Sequence, residues 1–185
     1  MKILCTGNPS KLTIAWAVKQ KWPNSQCISL SSGWNLKWPD DTSRSQFKDL
    51  VTQFDVFINS SFVAPGVQAD ILNSVIQQWT ESDIKGHVIT IGTTLENSVD
   101  TRFQTYIDDK KKLRELSLSM NDRTGITGVK TSYIVVGGIN NQQPQNVDFV
   151  DPQSVVELID WVLKFPDQLA LIQLEKSKVV KQPQL

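Results

Sequence analysis

Histidine is nearly absent from this chain: His87 stands alone among 185 residues, beside only two cysteines, Cys5 and Cys27. A structural zinc site draws on several Cys and His ligands, and a Ser-His-Asp triad needs a histidine placed beside two partners. Neither is expected here. Both cysteines sit inside apolar, strand-like segments, where a free thiol behaves as a small hydrophobe. They read as reduced core residues of a cytoplasmic protein, not as a disulfide or a metal site. Excess charge is missing too, with nineteen Lys and Arg against nineteen Asp and Glu. Nothing in that balance points to nucleic acid or to a membrane surface as partner. No apolar run approaches the roughly 20 residues that span a bilayer. Residues Met1 to Gly7 are too short and too soon interrupted for a secretory apolar segment, and they read as a strand.

What the chain does contain is an alternation of two periodicities. An apolar run at Lys2–Cys5 closes on Thr6-Gly7, and helical spacing follows over Leu12–Trp22, with a second strand at Gln26–Leu30. Helices are expected over Ser43–Gln53, capped by Thr42 or Ser43, over Pro65–Trp79, over Thr101–Met120, and from Asp151-Pro152 to Phe165. Strands are expected at Asp55–Asn59, His87–Gly92, Lys130–Val136 and Ala170–Leu174. The pattern is β-α-β followed by repeated α-β units, which predicts an α/β, three-layer, doubly wound Rossmann-type fold with a mostly parallel sheet of about six strands. Residues 1–175 are expected to form one domain, and the Lys-rich stretch 176–185 a frayed tail.

Chemistry concentrates in Thr93 to Lys110. On a helix, Tyr106 and Lys110 lie one above the other, so a phenol and an ammonium share one space. A neighbouring cation is expected to ease ionisation of the phenol, as suits a group exchanging a proton with a carbonyl or alcohol oxygen. Thr93 places a hydroxyl at the carboxyl end of a buried strand, where open α/β sheets hold their ligands. Alternatively, Tyr106 and Lys110 belong to a solvated helix face.

A hydroxyl residue ending a strand, thirteen positions before a Tyr that is four before a Lys, resembles the short-chain dehydrogenase/reductase family. The resemblance extends over nearly the whole chain. The family's Thr-Gly-x-x-x-Gly-x-Gly turn is represented by Thr6-Gly7-Asn8-Pro9-Ser10-Lys11-Leu12-Thr13, in which only the first glycine is kept. Asp55 to Asn59 is similar to the Asp-x-Leu-Val-Asn segment, after which Ser60, Ser61 and Phe62 depart from the family's Asn-Ala-Gly. Val136-Gly137-Gly138-Ile139-Asn140-Asn141 is similar to Pro-Gly-x-Val-x-Thr, matching at Gly137 and Ile139. Relative to the family the sheet is expected to lack one strand on one side, and the segment 140–144 leaves only a very short substrate cover.

The resemblance implies a nicotinamide-dependent oxidoreductase acting on a small carbonyl or alcohol. Tyr106 would be the acid/base, Lys110 its partner and a ligand of the nicotinamide ribose, and Thr93 the group orienting the substrate oxygen. Asn73 is the candidate for the family's helix Asn, or is a solvent-facing residue. Gly7, Ser10, Lys11, Ser31, Ser32, Asn59, Lys110, Gly137 and Ile139 would hold the cofactor. Lys11, with Ser10 and Thr13, offers a cation and hydroxyls to a phosphate, or Ser10 simply caps the helix. Ser31 and Ser32 stand where an NAD-preferring enzyme has an acidic residue, so NADP(H) is expected ahead of NAD(H). Trp34 is either an adenine platform or a loop anchor. The resemblance also implies a homodimer or homotetramer built on the helices bearing Asn73 and Tyr106. With two loop glycines replaced, the alternative is a non-catalytic dinucleotide-sensing or scaffold protein, with no cofactor chemistry.

Overall fold

In the computed structural model, which describes residues 1–38, 40–98, 100–139 and 149–175, the predicted apolar runs become strands β1 (Ile3–Thr6), β2 (Gln26–Ile28), β3 (Val56–Asn59), β4 (His87–Thr93), β5 (Lys130–Val136) and β6 (Leu171–Leu174). Between them lie helices α1 (Ile14–Lys21), α2 (Asp41–Val51), α3 (Val67–Glu81), α4 (Gln104–Asp122), the single turn α5 (Thr124–Thr127) and α6 (Pro152–Lys164). All six strands are parallel, in the order β2-β1-β3-β4-β5-β6. The sheet therefore ends at β2 on the side where one strand fewer was expected.

Alternation along each strand divides the core in two. Ile3, Cys5, Ile58, Ile89, Ile91 and Ile134 face α1 and α6, whereas Leu4, Phe57, Val88, Tyr133 and Val135 face α2, α3 and α4. The two cysteines are unbonded register partners on β1 and β2. The largest buried side chain is Trp79 near the end of α3, which donates its indole N–H to the Val51 carbonyl at 2.8 Å. Its ring fills the space beside Gly86, where any Cβ would sit 2.4 Å from it. Glycine is required there because the Trp is.

Several helix starts differ from the sequence expectation, each because another side chain satisfies the free N–H groups. Thr13, not Ser10, caps α1, accepting from Trp16 N at 3.0 Å. Asp40 caps α2 through Ser43 N at 2.7 Å, ahead of Thr42 and Ser43. A 3-10 turn over Thr101–Phe103 precedes α4. Asp151 caps α6 with Pro152 in its first turn, as expected. No helix among the described residues is long and apolar enough to cross a membrane. The segments 140–144 and 176–185, read from the sequence as a short cover and a frayed tail, lie outside the described residues.

His87 opens β4 with its ring against Ser132 Oγ at 2.9 Å. Burial, with Lys130 adding to it, pushes its pKa down to about 4 from an ordinary 6.5. The unfolded chain therefore takes up a proton first as pH falls. Stability is complete above 6.5 and is lost progressively down to about 4, at most about 3 kcal/mol for this group, less where solvent reaches it. Urea unfolding of wild type and His87→Gln at pH 7 and 4.5 measures this: the wild type should lose more stability than the variant.

Candidate active site

α4 buries the stripe Ile107, Lys110, Leu113 and Ser117, so a lysine occupies a position that its helix turns into the core. At 3 % exposure its ammonium must have partners. Lys110 Nζ donates to Gln68 Oε1 at 2.6 Å and to the Ile91 carbonyl at 3.0 Å. Gln68, fully buried in the first turn of α3, also donates through Nε2 to the carbonyls of Asn59 (2.7 Å) and Ile91 (3.3 Å). Asn59 returns a bond from Nδ2 to the Gln68 carbonyl at 2.9 Å. One glutamine thus ties the ends of β3 and β4 to the lysine. Burial drives the Lys110 pKa down to about 8, against the opposing charges of Asp109 and Glu96.

Tyr106 is half-buried one turn before it, with Lys110 Nζ 5.6 Å from the ring centre. The solvated-face alternative is excluded for Lys110 and does not fit Tyr106. The expected direction of the phenol's titration is overturned, however. Burial raises the Tyr106 pKa above its ordinary value, the Thr93 hydroxyl opposes this, and the charges of Glu96 and Asp109 add to the rise. Lys110 does not offset it, because its ammonium is turned to Gln68 and Ile91 O and its own charged form is disfavoured.

Thr93 ends β4 and begins the 3-10 turn Thr94–Asn97. Its Oγ1 accepts from Leu95 N at 3.3 Å, while its N–H donates to Glu96 Oε1 at 3.1 Å. Glu96 is 2 % exposed and its Oε1 also accepts from Tyr133 Oη at 2.5 Å. The other oxygen, Oε2, faces Arg114 Nη1 at 3.7 Å, an ion pair too long to be a hydrogen bond. Tyr133 crosses the face of Gly92, whose Cβ would lie 2.3 Å from the phenol. The threonine is thus held by a buried Glu-Tyr pair, for which the Thr93-x-x-Glu96 capping pattern is the signal in the sequence.

Asn73 is not part of this site. It lies on the exposed side of α3, in a groove with Ile76, Met120 and Arg123, because the buried face of that helix is set by Ile71, Leu72, Val75 and Trp79. Gln68, one turn earlier and facing inward, makes the contact to Lys110.

Three cavities follow one another along the carboxyl ends of the strands. The first, about 270 Å³, is lined by Thr93, Tyr106, Lys110, Gly137, Gly138 and Ile139 among others. The second, about 400 Å³, lies at the switch point between β1 and β3 and includes Gly7, Thr13, Ile14, Ser60 and Ile139. The third, about 330 Å³, lies past β2 and includes Trp34, Lys37, Ser61 and Phe62. Gly7 has φ +139° and no room for a side chain, since a Cβ would meet Ala15 at 2.9 Å. The expected cofactor residues divide accordingly. Gly7, Lys110, Gly137 and Ile139 line cavities, and Asn59 is a buried brace behind them. Ser10, Lys11, Ser31 and Ser32 are exposed and line none of the three; Ser31 and Ser32 bond instead to Ser29. Leu12, between the two missing glycines, takes φ +67°.

The comparison with solved structures finds the same arrangement of sheet and helices in known dehydrogenases. Over 95 % of its length the chain superposes on 98 % of serine dehydrogenase from Escherichia coli, at TM-score 0.73 and 15 % identity. It is similar to 4-hydroxyisoleucine dehydrogenase complexed with NADH and succinate, covering 93 % of this chain and 96 % of that one at TM-score 0.70 and 17 % identity. It is also similar to a short-chain dehydrogenase from Streptomyces avermitilis, covering 94 % and 87 % at TM-score 0.67 and 15 % identity. No family model matches the sequence, and no curated protein matches it. The chain has the fold of the short-chain dehydrogenases/reductases.

Proposed function

We propose that the chain is a short-chain dehydrogenase/reductase that uses a nicotinamide dinucleotide to reduce a carbonyl or oxidise an alcohol. The observation that carries this reading is the convergence of Thr93, Tyr106 and Lys110 on one cavity at the sheet's carboxyl edge, next to the switch-point crevice with which it shares Ile14, Ser60, Phe62 and Ile139. The residues present fit such a cofactor. Gly7 leaves backbone free for close approach, the first residues of α1, Ile14 and Ala15, line the same cavity, and Trp34 offers a ring past β2. The bound nicotinamide supplies the hydride acceptor or donor. The chain's own groups do the rest: Tyr106 Oη exchanges the proton with the substrate oxygen, Thr93 Oγ1 orients that oxygen, and Lys110, held by Gln68, supplies a cation to the wall of the same cavity. Tyr106, whose pKa burial holds above its ordinary value, is the protonated donor in the direction of reduction.

Preference for NADP(H) is supported by the third cavity, whose wall has no carboxylate among the described residues and does have Lys37. Lys37→Ala should weaken NADPH by roughly tenfold and NADH by less than about twofold, read by calorimetric titration. Equal losses would remove the phosphate argument. Turnover is tested by following NADPH absorbance with a panel of aldehydes and ketones. Oxidation with at least one carbonyl, abolished in Lys110→Met, is expected. Cofactor binding without any turnover would favour the non-catalytic alternative, which draws support from Thr13, its hydroxyl committed to capping α1. Self-association through the groove between α3 and α4 is part of this reading, checked by light scattering.

A further inference from the structure

Among the described residues Phe62 is the single one common to the walls of all three cavities. Its ring meets that of Tyr106 edge-on, with centroids 4.9 Å apart and planes at 79°. It is 44 % exposed, so it is not part of the core. The loop that carries it is fastened at both ends and free between them. Ser60 N and Ser61 N donate to Thr6 Oγ1 at 2.9 and 3.1 Å, and Gly66 N donates to Asp109 Oδ1 at 2.5 Å. Neither Phe62 nor Val63 donates a backbone hydrogen bond among the described residues. Gly66, at φ +80°, ends the loop with a turn that ordinary residues resist.

A ligand long enough to run from the Tyr106 cavity through the switch-point crevice to the cavity past β2 must cross the partition that this ring forms. We propose that Phe62 is a gate: resting on Tyr106 it divides the groove, and swinging out about the free part of its loop it joins the three cavities into one dinucleotide-length channel. The inference rests on the dinucleotide reading above and adds a conformational step to it. A protein whose competent form is a minor population has its apparent affinity reduced by that fraction.

Calorimetric titration of NADPH into wild type, Phe62→Ala and Phe62→Leu tests this directly. With a competent fraction on the order of 10 %, Phe62→Ala binds about tenfold more tightly than wild type and Phe62→Leu falls between them. Thermal unfolding of the free proteins, all three expected within a few degrees, shows that the variants are folded. Equal affinities overturn the gate and leave the cofactor reading standing. Weaker binding by Phe62→Ala also overturns it, because the ring would then be a contact of the bound ligand. If none of the three binds, the dinucleotide reading itself fails, and the gate with it.

Discussion

Tyr106→Phe should lower turnover with any accepted carbonyl by about 10²- to 10⁴-fold, the range of a positioned general acid. The substitution keeps the ring, and with it the edge contact to Phe62 and the position over Lys110. It removes one oxygen. Cofactor affinity should therefore be unchanged, and the loss should lie in kcat; a loss confined to KM would mean that the phenol only binds substrate. With only two tyrosines in the chain, absorbance titration of the phenolates supplies a second check. In wild type both should ionise above the ordinary value of 10, Tyr106 through burial and Tyr133 through burial and the Glu96 carboxylate. In Tyr106→Phe only the Tyr133 transition should remain.

The largest effect on stability is expected from Trp79→Ala, which should cost about 3–5 kcal/mol. The ring is fully buried between α3, α2 and the sheet, and its N–H is satisfied by the Val51 carbonyl. Truncation leaves a cavity over Gly86, where the backbone has no side chain of its own to fill the space, and takes one of two donors from that carbonyl, leaving it only Phe54 N at 3.2 Å. For a chain of this size the melting temperature should fall on the order of 10 °C. Because α3 also carries Gln68, the loss should reach the site, with Lys110 less firmly held and turnover lowered at temperatures below the transition. Trp79→Phe, which retains most of the volume, should recover more than half of the stability. Unfolding free energies equal to wild type would show that the helix is held elsewhere.

The fold was legible because its signals are local and repeated. β5 was expected over the same residues that form it, and β4 to within its final residue, since uninterrupted apolar runs between turn residues admit little else. Thr93, Tyr106 and Lys110 do meet at one cavity, as a strand end followed by a helix at that spacing should bring about. What escaped depended on contacts between segments distant in sequence. Asn73 was a plausible helix amide by position, yet a helix face is chosen by its apolar residues, and those turn Gln68 inward and Asn73 out. The sign of the Tyr106 shift followed from burial and from two carboxylates, and one of them, Glu96, is held in the core by Tyr133, 37 residues away on β5. In the first turn, Lys11 replaces a glycine but faces solvent, and the cation in the wall of the third cavity is Lys37, eleven residues past the start of β2 at Gln26 and invisible to motif spacing.

The most direct test of the central claim is calorimetric titration of the purified chain with NADPH and, separately, NADH. Saturable binding of one equivalent per chain, tighter for NADPH and lost in Gly7→Val, is the result this account predicts. The absence of binding of either nucleotide at about millimolar concentration, a range that weak binding near 4 kcal/mol would still reach, would contradict it.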